Sequence, residues 1–214
     1  SDVALTVNNG TAVLGSTITL EGSGTKAVLG TAGLLAGNIV LGATSTGNAT
    51  ITTQATALAV TANDAATGTL TVNAALLAEN TALTLNDGAA LGLTTVNGLV
   101  GNILASTFDA ALTVNLGNAG DNGIAITTGT DNTSLLGSAS GDAITVTATA
   151  MADNTLLTTT GAGAFTVTGL GANLDSSGTG TVEVTLADNA DDLYTLDSDV
   201  ALTVNNGTAV LGST

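Results

Sequence analysis

Apolar and polar residues alternate along this chain in short runs. ALTV (4–7), TITL (17–20), NIVL (38–41), ATIT (49–52), ALAV (57–60), TLTV (69–72), ALTL (82–85), ALTV (111–114), IAIT (124–127), AITV (143–146), FTVT (165–168), VEVT (182–185) and ALTV (201–204) each place apolar side chains two residues apart. A period of two puts Leu5 and Val7, Leu70 and Val72, or Ile144 and Val146 on one face and the intervening threonine on the other, which predicts half-buried β-strands. Turn-forming clusters separate them: NNG (8–10), GSG (22–24), STGN (45–48), NDG (86–88), NAGDNG (118–123), SGD (140–142), ADN (152–154) and SSGTG (176–180). Gly and Asn tolerate positive φ there, and Asn and Asp side chains close local turns. Helical spacing is confined to AALLAEN (74–80), too short to persist as a helix by itself.

Repetition overrides a reading strand by strand. SDVALTVNNGTAVLGST (1–17) recurs without a substitution at 198–214. Residues 1–197 are therefore one full period of a longer array, and 198–214 start the next identical one. A second level lies inside the period. TLTVNAALLAENTALTLNDGAALGLTTVNGLVGNILAS (69–106) aligns with AITVTATAMADNTLLTTTGAGAFTVTGLGANLDSS (143–177) through a strand, A-[ED]-N-T, a second strand and V-[NT]-G-L-x-x-N-[IL]. A more divergent unit begins near residue 17 with TITLEGSG and carries GLLAGN (33–38). Units beginning near 17, 69 and 143 are unequally spaced, as expected of duplications that gained or lost whole turns of a regular coil.

A four-residue strand buries two apolar side chains, and even a two-stranded hairpin is marginal in water. Short strands persist if identical rungs are laid on one another, so that each backbone group has a partner above and below and the aliphatic side chains form interior ladders. The pattern thus predicts an all-β fold, a parallel β-solenoid (β-helix), with coils of about 20 to 25 residues. At the usual strand spacing each period advances on the order of 40 to 50 Å. Asn at equivalent positions is expected to add amide ladders, and the absence of Pro spares the backbone ladder. The alternative is a string of tandem immunoglobulin-like β-sandwiches, whose domains carry an aromatic anchor, Pro in the connections and longer strands. Here the aromatic residues are Phe108, Phe165 and Tyr194, at no domain-like spacing, which favours the solenoid.

Composition narrows the choice further. Aromatics make up 1% of the chain and Cys is absent, yet 44% is hydrophobic and the mean hydropathy is +0.49. That is too apolar for a disordered linker and too poor in large side chains for a thick core. Seventeen acidic residues face the single Lys26, for a net charge of −16. This balance argues against nucleic acid and against anionic membrane surfaces, both of which require Lys and Arg. No apolar run approaches the roughly 18 residues of a spanning helix, so membrane insertion is not expected. Without His or Cys, acyl-transfer triads and zinc sites are excluded. A carboxylate pair of the glycosidase type remains, but acids in such turns are ordinarily solvated, and the chain is not expected to be an enzyme. Lys26 offers trypsin one site per period.

AMADNTLLTTTGAGAFTVTGLGANLDSSGTGTVEVTLADNADD (150–192) resembles the repeat regions of giant bacterial surface proteins, of the adhesin or surface-layer type associated with hemolysin-type (RTX) calcium-binding segments. The resemblance implies secretion to the bacterial cell surface and a structural role in an extracellular fibre, surface layer or adhesin stalk. Its partners would be neighbouring repeats or other copies of itself in a filament or lattice. The RTX nonapeptide G-G-x-G-x-D-x-U-x is absent, so its calcium sites do not carry over. From the residues themselves, DNADDLYTLDSD (188–199) nominates Asp188, Asp191, Asp192, Asp197 and Asp199 for calcium, a cation that accepts several carboxylate and carbonyl oxygens in flexible geometry. Asp121 and Asp142 are further candidates. Asp199 is the counterpart of Asp2, so an ion there would stiffen the junction between periods. The two other readings are a carbohydrate-binding or carbohydrate-processing β-helix and a calcium-stiffened adhesin extender. Threonine pairs such as those in TITT (50–53) raise a water-ordering face. Their interval along the chain is not constant, so they read as ordinary outward strand residues. N-x-[ST] acceptor patterns for glycosylation occur at Asn9, Asn48, Asn132 and Asn206.

Overall fold

The computed structural model describes residues 4–9, 16–30, 37–119, 123–138, 142–187 and 194–205. They form twenty strands and no helix: β1 (Leu5–Asn9), β2 (Thr17–Leu20), β3 (Lys26–Gly30), β4 (Asn38–Leu41), β5 (Ala49–Thr52), β6 (Leu58–Ala62), β7 (Leu70–Asn73), β8 (Ala82–Asp87), β9 (Thr94–Leu99), β10 (Asn102–Phe108), β11 (Leu112–Leu116), β12 (Ile124–Thr127), β13 (Thr133–Gly137), β14 (Ala143–Thr147), β15 (Leu156–Gly161), β16 (Ala164–Leu170), β17 (Asn173–Ser176), β18 (Thr181–Leu186), β19 (Leu196–Ser198) and β20 (Ala201–Asn205). Odd-numbered strands make one ten-stranded sheet and even-numbered strands the other, each in strict chain order. All pairs are parallel. The chain therefore winds as a parallel β-solenoid with two strands per coil. Coil length is not fixed: the step between stacked positions from Thr159 to Ser176 is short, and that from Thr61 to Asn86 is long.

Alternation within each rung builds the interior. In the odd sheet Val28, Ile51, Val72, Val96, Val114 and Leu135 stack in register. In the even sheet Leu83, Ile103, Ile126, Val146, Val167 and Val184 do the same. All twelve are buried and belong to one continuous core. Each such burial contributes about 1.5–3 kcal/mol, and the contribution recurs with every coil. Phe108, Phe165 and Met151 are buried in the same core. The helical-looking AALLAEN lies in the turn before β8, with Leu77 buried and its backbone N donating to Ala74 O at 3.0 Å.

The two aligned stretches share backbone geometry as well as sequence. Asn80 and Asn154, at the same place in A-[ED]-N-T, have φ of 60° and 63°, and Gly98 and Gly169, in V-[NT]-G-L, have φ of 67° and 66°. Each glycine coincides with a register shift, between Asn115 and Leu116 opposite β9 and between Thr168 and Leu170 in β16. The local sequence thus encodes a bulge, with Gly supplying the left-handed residue that the bulge requires.

The odd-sheet column turns polar after Leu135, continuing as Thr159 and Ser176. Their hydroxyls meet at 2.6 Å inside the core. Truncating one partner leaves the other buried and unsatisfied, whereas replacing both is close to neutral. Ser176→Ala should therefore lower unfolding stability by about 1–3 kcal/mol, and Thr159→Val combined with Ser176→Ala should recover most of that loss. Chemical denaturation of the two variants checks this, and an additive double variant would contradict it.

Candidate functional site: the outward ladders and the acidic edge

The parallel register turns outward side chains into columns along both broad faces. On the odd sheet Thr50, Thr71, Thr95, Thr113, Ser134 and Thr158 occupy six successive rungs. On the even sheet Thr127, Thr147, Thr168 and Thr185 form one column, with Thr145, Thr166, Glu183 and Thr203 beside it. The stretch of chain from Thr95 to Thr113 is shorter than that from Thr71 to Thr95, yet each pair is in register. The uneven T-x-T interval of the sequence is absorbed in the turns, and the hydroxyls are regular in space. Rungs lie about 4.8 Å apart and alternate residues within a rung about 6.6 Å apart, so the threonine columns set rows of hydroxyl and methyl groups along each face.

Asparagine ties the coils together in two ways. Along the odd face, Asn97 Nδ2 donates to Asn73 Oδ1 at 3.4 Å and Asn115 Nδ2 donates to Asn97 Oδ1 at 2.8 Å. This is the amide ladder that stacked equivalent positions imply. Before or at the start of strands, Asn48, Asn102, Asn132 and Asn173 each accept, through Oδ1, the backbone N–H of the next coil at Thr69, Ala125, Leu156 and Thr195, at 2.8–3.1 Å. Asn48 and Asn132, two of the glycosylation-pattern asparagines, thus have their amide oxygens engaged between coils.

Of the five carboxylates nominated for calcium, Asp188, Asp191 and Asp192 lie outside the described residues, as does Asp121. Asp197 is exposed in β19, in register with the exposed Asp175 of the rung before it. Asp199 follows β19, where its backbone N donates to Ser176 O at 2.8 Å. Among the described residues no group of three or more His, Cys, Asp or Glu side chains is arranged to hold a metal ion. Asp142 is buried, and its Oδ2 accepts from Ala119 N at 3.0 Å and from Ser138 Oγ at 3.1 Å, so it fastens one turn to its neighbour.

The structure also organises acids that local sequence density did not single out. Asp64, Asp87, Asp109, Asp131 and Asp153 lie at the ends of even-sheet strands or in the connections from the even to the odd sheet, one in each of five successive coils. The last four recur at one constant interval along the chain, the signal by which sequence alone could have found them. One narrow edge of the solenoid is thereby acidic.

Lys26 points into the core at 3% exposure, its Nζ donating to Gly22 O at 2.6 Å and Gly24 O at 2.8 Å. Burial pushes its pKa below the ordinary lysine value, with the Glu21 carboxylate acting in the opposite sense. Glu21 is held below the usual carboxylate range by hydrogen bonds from the side chain and backbone of Thr44. Two shallow depressions, one beside Asn80, Asn102 and Thr145 and one beside Asn132, Ser134 and Thr158, have neither an acid nor an aromatic side chain in their walls. Compared with protein families, curated proteins and solved structures, the chain matches none of them.

The burial of Lys26 changes the expectation for proteolysis. A protease needs an extended, accessible segment, so cleavage must await local opening. Native protein should resist trypsin and be cut after Lys26 only once heat or denaturant unfolds the first coils. Mass spectrometry of a digestion series across the melting transition checks this, and rapid cleavage of the native chain would contradict it.

Proposed function

We propose that this chain is a structural segment of a secreted, repetitive bacterial surface protein, whose coils continue from period to period into an extracellular fibre, surface layer or adhesin stalk. Its work is mechanical, and its partners are neighbouring repeats and other copies of itself. The observation that carries this reading is that the segment shared by both ends is a paired rung both times. β1 sets Leu5 and Val7 beside Lys26 and Val28, and β20 sets Leu202 and Val204 beside Val182 and Val184. The opening of one period thus already stacks on the last coils of the period before it, with no linker between them.

Two further features support it. Leu5 and Val204 are 38% and 42% exposed on these end rungs, while the same interior columns are closed elsewhere; another coil would cover them. The outward faces are uncharged or acidic, which keeps a long assembly soluble, and burial of the sole tryptic site suits a protein exposed to proteases. A second reading, the calcium-stiffened extender, is favoured by the stacking of Asp175 on Asp197 next to the junction, where two like charges in adjacent rungs would draw a cation.

A protein of two complete periods tests both readings. Electron microscopy should show one unbroken rod on the order of 90 Å long, set by the strand spacing; two separated beads would overturn the fibre reading. If melting is unchanged when calcium is chelated, the solenoid is self-sufficient, whereas a loss of more than a few degrees assigns the stiffening role to calcium.

A further inference from the structure

The repeated end segment does not return to the sheet it started from. β1 belongs to the odd sheet and β20, its counterpart one period later, to the even sheet, nineteen strands further on. The units inside the period behave in the same way. Those beginning near residues 17, 69 and 143 start on β2, β7 and β14, which alternate between the even and odd sheets at steps of five and seven strands. The matched backbone sites agree: Asn80 precedes β8 and Asn154 precedes β15, while Gly98 lies in β9 and Gly169 in β16, seven strands apart in each case. Every step is odd. An even count would have returned each copy to its own sheet.

The packing permits this because both sheets keep the same alternation, mostly aliphatic side chains inward and mostly threonine or asparagine outward, so a rung made for one sheet is accepted by the other. The steps of five and seven differ by two strands, one whole coil. The unit lengths agree, since the stretch from 69 to 143 exceeds the stretch from 17 to 69 by the length of a coil.

We infer that successive periods are related by a half-turn about the long axis, so that the rod repeats only after two periods and its two broad faces carry the same surface. The inference rests on the reading that the period continues. Concretely, the even-sheet column Thr145, Thr166, Glu183, Thr203 runs on into the next copies of Ala27, Thr50 and Thr71, which belong to the odd sheet here. The acidic edge crosses to the opposite side with it. Whatever recognises the outward surface of one period therefore meets it on both sides of the rod, at alternate periods on each side. A rod built this way can be engaged from two opposed faces, which a solenoid with an even number of strands per period cannot offer equally.

The two-period protein supplies the test, because outward positions in register on neighbouring rungs lie one strand spacing apart, within reach of a short bifunctional thiol cross-linker that closes the pair. Thr71→Cys with Thr95→Cys, neighbours within one sheet, is the control that must close. The half-turn predicts that Glu183→Cys with Thr203→Cys closes and that Asp197→Cys with Thr203→Cys stays open. Closure of the Asp197 pair, or failure of the Glu183 pair beside a closed control, overturns the half-turn. Microscopy of the same protein separates the two failures: a rod with the wrong cross-links sinks only the half-turn, and beads sink the fibre reading beneath it.

Discussion

The structure depends on the backbone ladder between parallel rungs. Strands of three to seven residues cannot persist alone, and each becomes stable only because the rung beneath it presents N–H and C=O groups at matching positions. Once register is set by that ladder, everything else follows as columns: aliphatic interiors, outward threonines, asparagine amides and an acidic edge. Close approach of the coils is enforced where the ladder turns corners. Gly161, at φ +84°, lies over Gly137 so tightly that an added Cβ would sit 2.6 Å from the Gly137 carbonyl oxygen, and Gly178 follows in the same column. Such positions admit only glycine, because both the left-handed conformation and the contact exclude a side chain.

Register and chain length are decoupled. Coils differ in length, as the steps from Thr159 to Ser176 and from Thr61 to Asn86 show, but the variation falls in turns and bulges, so the faces remain regular. The same tolerance explains how duplications of odd strand number survive. A copied unit needs only a rung below it with aliphatic side chains inward, and either sheet provides one. A solenoid of this kind grows by half-coils without frustrating its core.

Much of the fold was legible in the alternation. The strands with two clean aliphatic positions, such as TLTV, AITV and VEVT, occupy β7, β14 and β18. Several strands absent from that pattern carry a polar residue in the interior: β3 begins on the buried Lys26, β9 and β13 begin on buried Thr94 and Thr133, and β15 and β17 carry Thr159 and Ser176 inward. In each case the neighbouring rungs, not the strand's own side chains, decide the conformation. The surface was less legible than the core. Local density drew attention to Asp188–Asp199, whereas the solenoid distributes acids by coil, so Asp87, Asp109, Asp131 and Asp153, evenly spaced along the chain, fall along one edge. The threonine columns were hidden for the same reason, since sequence displays chain distance and not register.

Diffraction from aligned films of the tandem protein tests the central claim most directly. Rungs stacked along the rod place the strand-spacing reflection, near about 4.8 Å, on the meridian, parallel to the long axis. Finding that reflection on the equator, with strands running along the long axis as in a chain of sandwiches, would contradict the account.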